Sequence, residues 1–449
     1  MWSKMCSEMM VKVINKETVT PSSSTLHHLM TSNLSVFDHF VPDLYTPLLL
    51  FYPNNSTTDH KINTVDHHHS MITERSKLLK TSLSETLNHF YPFAGRIFSH
   101  NNILSICCND NGAAFIQTRV NCPISKVLEK PHPQILNQLL PIDIESTFES
   151  TGYLLLVQVN FFECGGLAIG VSISHKIADG FTRGTFIRSW AAMGLGSDVA
   201  ALPAAEFGVS ASLYPPQDLI TNSLPTSMKS VNNEACVQRR FVFDASNIVH
   251  LKSKATSATV PNPTRVEVVS ALIWKCAMEA STSNLGFTRP ANLHLATNMR
   301  KVLEHPTLMG NIVAPVLVKT QETDATLQSL VALLREAIEE FKVKYSNRDS
   351  RDDICQHLNE SMDIMGKNDM NNYLCSSWCR FGFYEANFGW GNPSWVTHPG
   401  IPINNVIVLI ETKDGEGIEA ILSFKGEDMA VIETNKELLA YGSLNPTVI

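Results

Sequence analysis

The sequence predicts an α/β protein: two mixed layers of strands and helices, one in each half, joined by a long crossover linker. Three observations point there. Strand-period and helix-period runs alternate in both halves. The 449-residue length suits two or three domains, and 44% hydrophobic residues against 17% charged ones suit large cores. Residues 196–237 carry Pro, Ser, Ala and Asn without a sustained period, which is difficult to place inside one compact domain. The expected division is a first domain over 1–195, the linker 196–237 and a second domain over 238–449.

The elements follow in order. "VKVI" at 11–14 reads as a short strand, and "TPLLLFY" at 46–52 as a buried one. The polar stretch 53–70 lacks periodicity and reads as a surface loop. It contains His67, His68 and His69, but three consecutive side chains do not converge on one metal ion without a special backbone. Leu79, Leu83, Leu87 and Phe90 form one apolar stripe, so a helix is expected over 71–90, stopped by "YPFAGR". Strands at 103–107 and 113–118 flank "NDNG", a hairpin signal, and 153–162 and 167–174 form a second hairpin around "ECGG". Phe186, Trp190 and Met193 mark a helix face. Beyond the linker, "RRFVFD" reads as a strand. Helices are expected over 265–280 and over 325–345, where Leu327, Leu330, Leu334, Ile338 and Phe341 share a stripe. Asp414-Gly415 between two apolar runs predicts a final hairpin.

Composition narrows the function. The formal net charge of −8 argues against a nucleic-acid surface. No run reaches the roughly 18–20 apolar residues of a membrane span, and the start lacks a secretory pattern. A cytoplasmic location follows as the expectation, with the sequons at Asn33, Asn54, Asn55 and Asn359 unused. The ten cysteines show neither metal-binding nor disulfide-framework spacing, which fits reduced thiols and no metal.

One short stretch carries chemistry. In "LAIGVSIS" Leu167, Ile169, Val171 and Ile173 share a face, and continuing the period places His175 with them at the strand's end. A histidine there is partly desolvated yet able to reach a cleft, and its ordinary pKa near 6.5 suits proton removal. Asp179 then falls where a helix N-cap belongs. Physics alone leaves two readings open: a general base, or a satisfied core histidine beside a capping aspartate. Other signatures are poor. "GVSIS" lacks the last glycine of a nucleophile elbow, "GLGSD" completes no dinucleotide fingerprint, and no phosphate-binding loop is present.

A second stretch, "CSSWCRFGFYEANFGWGNPSW" from Cys375 to Trp395, packs three glycines and seven aromatics into one span. Together the two stretches resemble the plant BAHD acyltransferases, whose motifs are His-x-x-x-Asp-Gly and Asp-Phe-Gly-Trp-Gly. His175, Asp179 and Gly180 match the first in full. Asn387-Phe388-Gly389-Trp390-Gly391 matches the second with Asn for the first Asp. "HFYPFAGRI", "FFECGGLAIGVSISHKIADG", "RVEVVSALIWK", "NMR" at 298–300 and "MGN" at 309–311 extend the resemblance over nearly the whole chain, most closely to its alkaloid-acetylating branch.

The resemblance implies two chloramphenicol-acetyltransferase-like domains, a solvent channel between them and His175 at its centre. It implies a monomer with no permanent cofactor, using an acyl-CoA donor, acetyl-CoA first, and a small-molecule alcohol acceptor. His175 would be the general base, with Trp390 or Thr46 as oxyanion donors. Asp179 would pair with Arg300 to support the site, and Asn387 and Gly389 would shape the glycine loop. Malonyl- or hydroxycinnamoyl-CoA, an amine acceptor, or a non-catalytic channel-binding paralogue are the alternatives.

Overall fold

Alternating apolar residues lay down two large sheets, whose strands run through the chain as follows. The first half holds β1 (Val11–Val19), β2 (Thr31–Asn33), β3 (Tyr45–Tyr52), β4 (Arg96–His100), β5 (Ile103–Cys107), β6 (Ala113–Val120), β7 (Leu155–Phe162) and β8 (Leu167–Ser174). The second holds β9 (Cys236–Phe243), β10 (Ala291–Asn298), β11 (Val313–Thr320), β12 (Asn371–Ser377), β13 (Trp395–Thr397), β14 (Val406–Glu411), β15 (Ile418–Lys425) and β16 (Ser443–Leu444). The longer helices are α1 (Val65–His89), α2 (Gly180–Gly194), α3 (Ala245–Ala255), α4 (Arg265–Leu285), α5 (Leu327–Tyr345) and α6 (Arg351–Met365). This computed structural model describes residues 9–54, 65–100, 103–198, 202–216, 236–320, 325–346 and 351–449, the side chains at 65–68, 148 and 351 excepted.

The first sheet has the order β1-β6-β7-β8-β3-β13 and the second β11-β10-β12-β14-β15-β9-β16. Both are mixed: β6–β7, β10–β12 and β12–β14 run parallel, the other pairs antiparallel. The α1 stripe of Leu79, Leu83 and Leu87 packs with Phe186 and Trp190 of α2 on the sheet face bearing Ile169, Val171 and Ile173. Burying each such side chain is worth about 1.5–3 kcal/mol. In the second half α4 runs through the core with both Val268 and Trp274 sealed from solvent. Its start is fixed by a capping box, in which the Thr264 hydroxyl accepts from the Glu267 N–H and the Glu267 carboxylate from the Thr264 N–H.

The second half lends a strand to the first sheet. β13 belongs to the second half of the chain but pairs antiparallel with β3, Val396 opposite Leu50. The stretch before it, with Trp378, Phe383 and Phe388, joins the core of the first sheet. Residues expected in the second unit therefore also complete the first layer. Of the expected linker, 196–198, 202–216 and 236–237 are described: a short helix, Val209–Leu213, follows a bridge between Glu206 and Leu308, and Cys236 already opens β9. Residues 217–235 lie outside the described residues.

Two expectations are corrected. The strands around "NDNG" are not a hairpin: β5 pairs with β2 and β4 in a separate three-stranded sheet, while β6 pairs with β1 and β7. The turn instead passes the chain between sheets. Asp110 and Gly112 adopt φ of 56° and 77°, and a Cβ on Gly112 would stand 2.4 Å from the Val19 carbonyl oxygen, so only glycine fits. The helix expected from 71 begins at Val65, so the His67–His69 tract is helical rather than loop. A polar first turn extends from the packed leucine stripe that follows, and His69 Nδ1 lies 3.2 Å from an Arg119 Nη. The hairpin at Asp414-Gly415 does form, with Glu411 opposite Ile418 and Gly415 at φ 74°.

Candidate active site

His175 ends β8, and its N–H donates to the Leu44 carbonyl at 2.8 Å, just ahead of β3. Asn311, in the turn leading into β11, reaches across from the second half. Its Nδ2 donates to the His175 carbonyl at 2.6 Å and to Asp38 Oδ1 at 3.1 Å. Those two donations fix the amide's orientation, so Asn311 Oδ1 is the acceptor that stands 3.0 Å from His175 Nδ1. The imidazole therefore carries its proton on Nδ1, and Nε2 keeps its lone pair. Behind Asn311, the Asp38 carboxylate accepts from the Asn311 N–H at 2.8 Å, the Ser35 N–H at 2.8 Å and the Ser35 hydroxyl at 2.6 Å. Burial nevertheless raises the Asp38 pKa above its ordinary value, the hydrogen bonds opposing it.

Sequence reasoning missed Asn311 and Asp38 as site residues. The signal for Asp38 was present as a helix start: Ser35-x-x-Asp38 forms a capping box. Asn311 lies in the quoted "MGN", but nothing local says that its amide crosses to His175.

Asp179 caps α2, accepting from the Thr182 N–H at 2.8 Å. Its carboxylate also takes Arg300 Nη1 at 2.6 Å, Arg300 Nη2 at 3.3 Å and the Ile312 N–H at 3.0 Å. Burial alone would raise its pKa, but the Arg300 charge and these donors hold it below the ordinary carboxylate value. Arg300 continues to the Leu308 carbonyl at 2.7 Å and Thr182 Oγ1 at 2.9 Å. The pair thus ties α2 to the loop between β10 and β11, which carries Asn311.

His175 opens into a cavity of about 150 Å³ between the sheets, walled by Phe40, Val41, Phe181, Met365, Trp378 and Phe381, with Asn298, Ser376 and Ser377 as polar points. A larger cavity of about 840 Å³ lies beyond, lined by His398, Arg239, Arg240 and Lys130 among others. Trp378 of the first lining and His398 of the second stand edge to face, 5.3 Å between ring centroids. Burial and the nearby Arg183 charge push the His175 pKa down to about 4. Burial, Arg183 and His175 push His398 to about 3. Both rings are neutral at pH 7. Among the described residues no His, Cys, Asp and Glu cluster could hold a metal ion, and no helix is long and apolar enough to cross a membrane.

The glycine loop lies elsewhere. Asn387 Oδ1 accepts from the Gly389 N–H at 2.8 Å and the Gly391 N–H at 3.0 Å. Gly389 and Gly391 have φ of 107° and 96°, a region closed to most side chains. Trp390 packs on Tyr52, 6.2 Å between centroids, with Arg75 over its ring at 5.2 Å. Tyr52 ends β3 opposite Leu167, whereas Tyr45 at the other end pairs with Ser174, beside His175. That span is roughly 20 Å at about 3.3 Å per residue. The expected oxyanion role of Trp390 is therefore corrected: its indole braces the far end of the sheet. Thr46 pairs with Ile173, one diagonal from His175.

Residues 9–439 match the Transferase family. The chain is 36% identical to akuammiline synthase 1 of Alstonia scholaris over 96% of its own length and 97% of that protein's. It is 35% identical to salutaridinol 7-O-acetyltransferase of Papaver somniferum, covering 94% of this chain and 96% of that one. The crystal structure of vinorine synthase superposes with a TM-score of 0.82 at 30% identity, over 98% of this chain and all of that one. A histidine held with a free Nε2 in an inter-sheet cavity fits that company, and the chain belongs to the Transferase family, the BAHD acyltransferases its motifs resemble, as an acyl-CoA-dependent acyltransferase.

Proposed function

We propose that the protein transfers an acetyl group from acetyl-CoA to a hydroxyl on a plant specialised metabolite of alkaloid or terpenoid type, with His175 as general base. The observation that carries the role of His175 is its tautomer. Because Nδ1–H donates to Asn311, Nε2 is the acceptor, and it belongs to the ring lining the cavity. The acceptor's O–H proton passes to Nε2 as its oxygen attacks the thioester carbonyl carbon. The tetrahedral adduct collapses, the C–S bond breaks, and the departing thiolate takes the proton back from the imidazolium. Ester and free CoA result, with histidine neutral again and no covalent enzyme intermediate.

Asn311 and Asp38 hold the ring's orientation and give the transient imidazolium a polar partner. Thr46 is the oxyanion donor we favour, since it alone of the two expected donors stands by the His175 end of the sheet. Asp179 and Arg300 position the loop rather than touch substrate, and Asn387 and Gly389 shape the glycine loop. The acetyl donor is supported by the likeness to salutaridinol 7-O-acetyltransferase. The cytoplasmic reading rests on the scattered thiols, of which Cys108, Cys276 and Cys375 are buried and pushed up to about 12 by burial, and the monomeric one on the family resemblance.

The test is release of free CoA thiol from acetyl-CoA with a panel of hydroxylated alkaloids and triterpenoids, His175→Ala serving as control. Turnover that falls by about 10²–10⁴-fold in the variant supports the role. Equal turnover in both proteins, or none with any acceptor in the native chain, rejects it.

A further inference from the structure

Alternate residues of a strand share one face, and one face of the second sheet walls the His175 cavity. Ala296 and Asn298 of β10, Val313 and Pro315 of β11, and Leu374 and Ser376 of β12 all line it. Their register agrees: Ala296 lies between Pro315 and Ser376, and Asn298 lies opposite Val313. Asn298 therefore stands on the cavity face, on a different sheet from His175 and Thr46.

The Asn298 amide has a fixed orientation. Its Oδ1 accepts from the Arg300 N–H at 3.0 Å and from Arg300 Nη1 at 3.2 Å, so the other branch is Nδ2. Nη1 is also the atom that meets Asp179 Oδ2 at 2.6 Å. The buried ion pair thus sets an amide as well as a loop. No acceptor among the described residues takes either Nδ2 proton. Asn311, the other asparagine of the site, differs: its Nδ2 is spent on the His175 carbonyl and Asp38. An amide whose oxygen accepts from a guanidinium is polarised, and its N–H groups become better donors.

We propose that Asn298 Nδ2 donates to the acyl carbonyl oxygen as that oxygen becomes an oxyanion, as a second donor set from the second sheet. The inference rests on the acyl-transfer reading and adds a catalytic residue to it. The acceptor oxygen bonds to the thioester carbonyl carbon and its proton passes to His175 Nε2. The C=O electron pair moves onto the carbonyl oxygen, where Nδ2–H meets it, and returns as the C–S bond breaks. A cavity of about 150 Å³ holds a group about the size of a benzene ring, hence the reacting centre and not a whole metabolite. A donor already locked in place needs no reorganisation when the charge appears.

Steady-state kinetics with acetyl-CoA on Asn298→Asp and Asn298→Ala test this, with thermal melts alongside. Asn298→Asp keeps an oxygen for Arg300 and removes both Nδ2 protons. It should melt no lower than the native chain and lose at least about 10²-fold in kcat, as for a missing oxyanion donor. Asn298→Ala should lose about as much with every acceptor that turns over, the KM for acetyl-CoA moving less than about three-fold. Near-native kcat in either folded variant overturns the proposal. A residue that only braces Arg300 tolerates aspartate, and one whose new carboxylate merely repels the oxyanion tolerates alanine. A loss confined to KM, or to acceptors with an oxygen besides the reacting hydroxyl, also overturns it, since the amide would then read the acceptor. Where neither variant folds, the infrared stretch of an isotope-labelled acetyl-CoA carbonyl on the native chain decides. A frequency below that in water supports the donor, and one at or above it rejects the donor. No transfer from acetyl-CoA to any acceptor by the native chain removes the acyl-transfer reading instead, and this inference with it.

Discussion

His175 Nδ1 and Asn311 Oδ1 stand 3.0 Å apart, and they come from opposite halves of the chain. One hydrogen bond therefore sets the tautomer of the base and registers the two sheets on each other at the cavity. Asn311 acts through His175, so truncation should damage the proton step more than substrate binding. Asn311→Ala should lower kcat by on the order of 10²-fold, within the range of a general base, with KM moved far less. Asn311→Asp would put a carboxylate on Nδ1 and favour the imidazolium. Its acid limb in kcat/KM should therefore move to higher pH than the native one. Steady-state kinetics across pH checks both, and an unshifted limb in Asn311→Asp would reduce Asn311 to a structural spacer.

Burial and Arg183 lower the His175 pKa to about 4. The neutral, proton-accepting ring thus persists well below the usual 6.5. Turnover should hold between pH 8 and about 5.5 without a histidine step near 6.5. Stability behaves differently over the same window. His175 and His398 take up protons in the unfolded chain below about 6.5 but not in the folded one until about 4 and 3. The unfolded state binds more protons there, so stability falls as pH drops through that interval. Thermal melts from pH 7 to 4.5 should show a declining Tm, and a flat Tm would contradict the buried neutral rings.

The Asp179–Arg300 pair is buried at both partners, 2% exposed each. Removing one partner strands the other's charge, at a cost of about 3–5 kcal/mol. Asp179→Ala and Arg300→Ala should lower Tm sharply and reduce folded yield, carrying activity down with it. The folded pKa of Asp179 is depressed, so its contribution is present above about 4 and lost only as pH falls further. A well-folded, inactive Asp179→Ala would assign the carboxylate a chemical role instead.

Trp390 provides a contrast. Its indole Nε1 is buried with no partner among the described residues, yet it lies at the Tyr52 end of β3. Trp390→Phe keeps the ring against Tyr52 and removes the N–H. Turnover should change by less than about three-fold, whereas loss of an oxyanion donor costs roughly 10²–10³-fold. Kinetics of this one variant decide between the two.

Much of this was legible in the sequence because it is local. The period of "LAIGVSIS" placed His175 at a strand end, the Leu79–Leu83–Leu87 stripe gave a helix, and Asp414-Gly415 gave a hairpin. The Asp179–Arg300 pair came from family resemblance, not from spacing. What stayed hidden is long-range. Asn311 meets His175 across 136 positions, and Val396 pairs with Leu50 through a strand lent by the second half. The "NDNG" turn misled because a hairpin signal records chain reversal, not which strands then pair.

Asn387 stands where the family motif has an aspartate, and its partners say what that position needs. Oδ1 accepts from two backbone N–H groups, Gly389 and Gly391, across a loop that only glycine's φ allows. Either Asn or Asp supplies that oxygen. A carboxylate would strengthen the two bonds by charge assistance, and the partners it would meet are neutral amides. Asn387→Asp should therefore raise Tm slightly and leave kcat within about three-fold. Asn387→Ala hands both exposed amides to water and should cost about 0.5–1.5 kcal/mol of stability. A gain in kcat of a hundred-fold or more on restoring the aspartate would show that its charge takes part in the reaction, and that this chain runs without it.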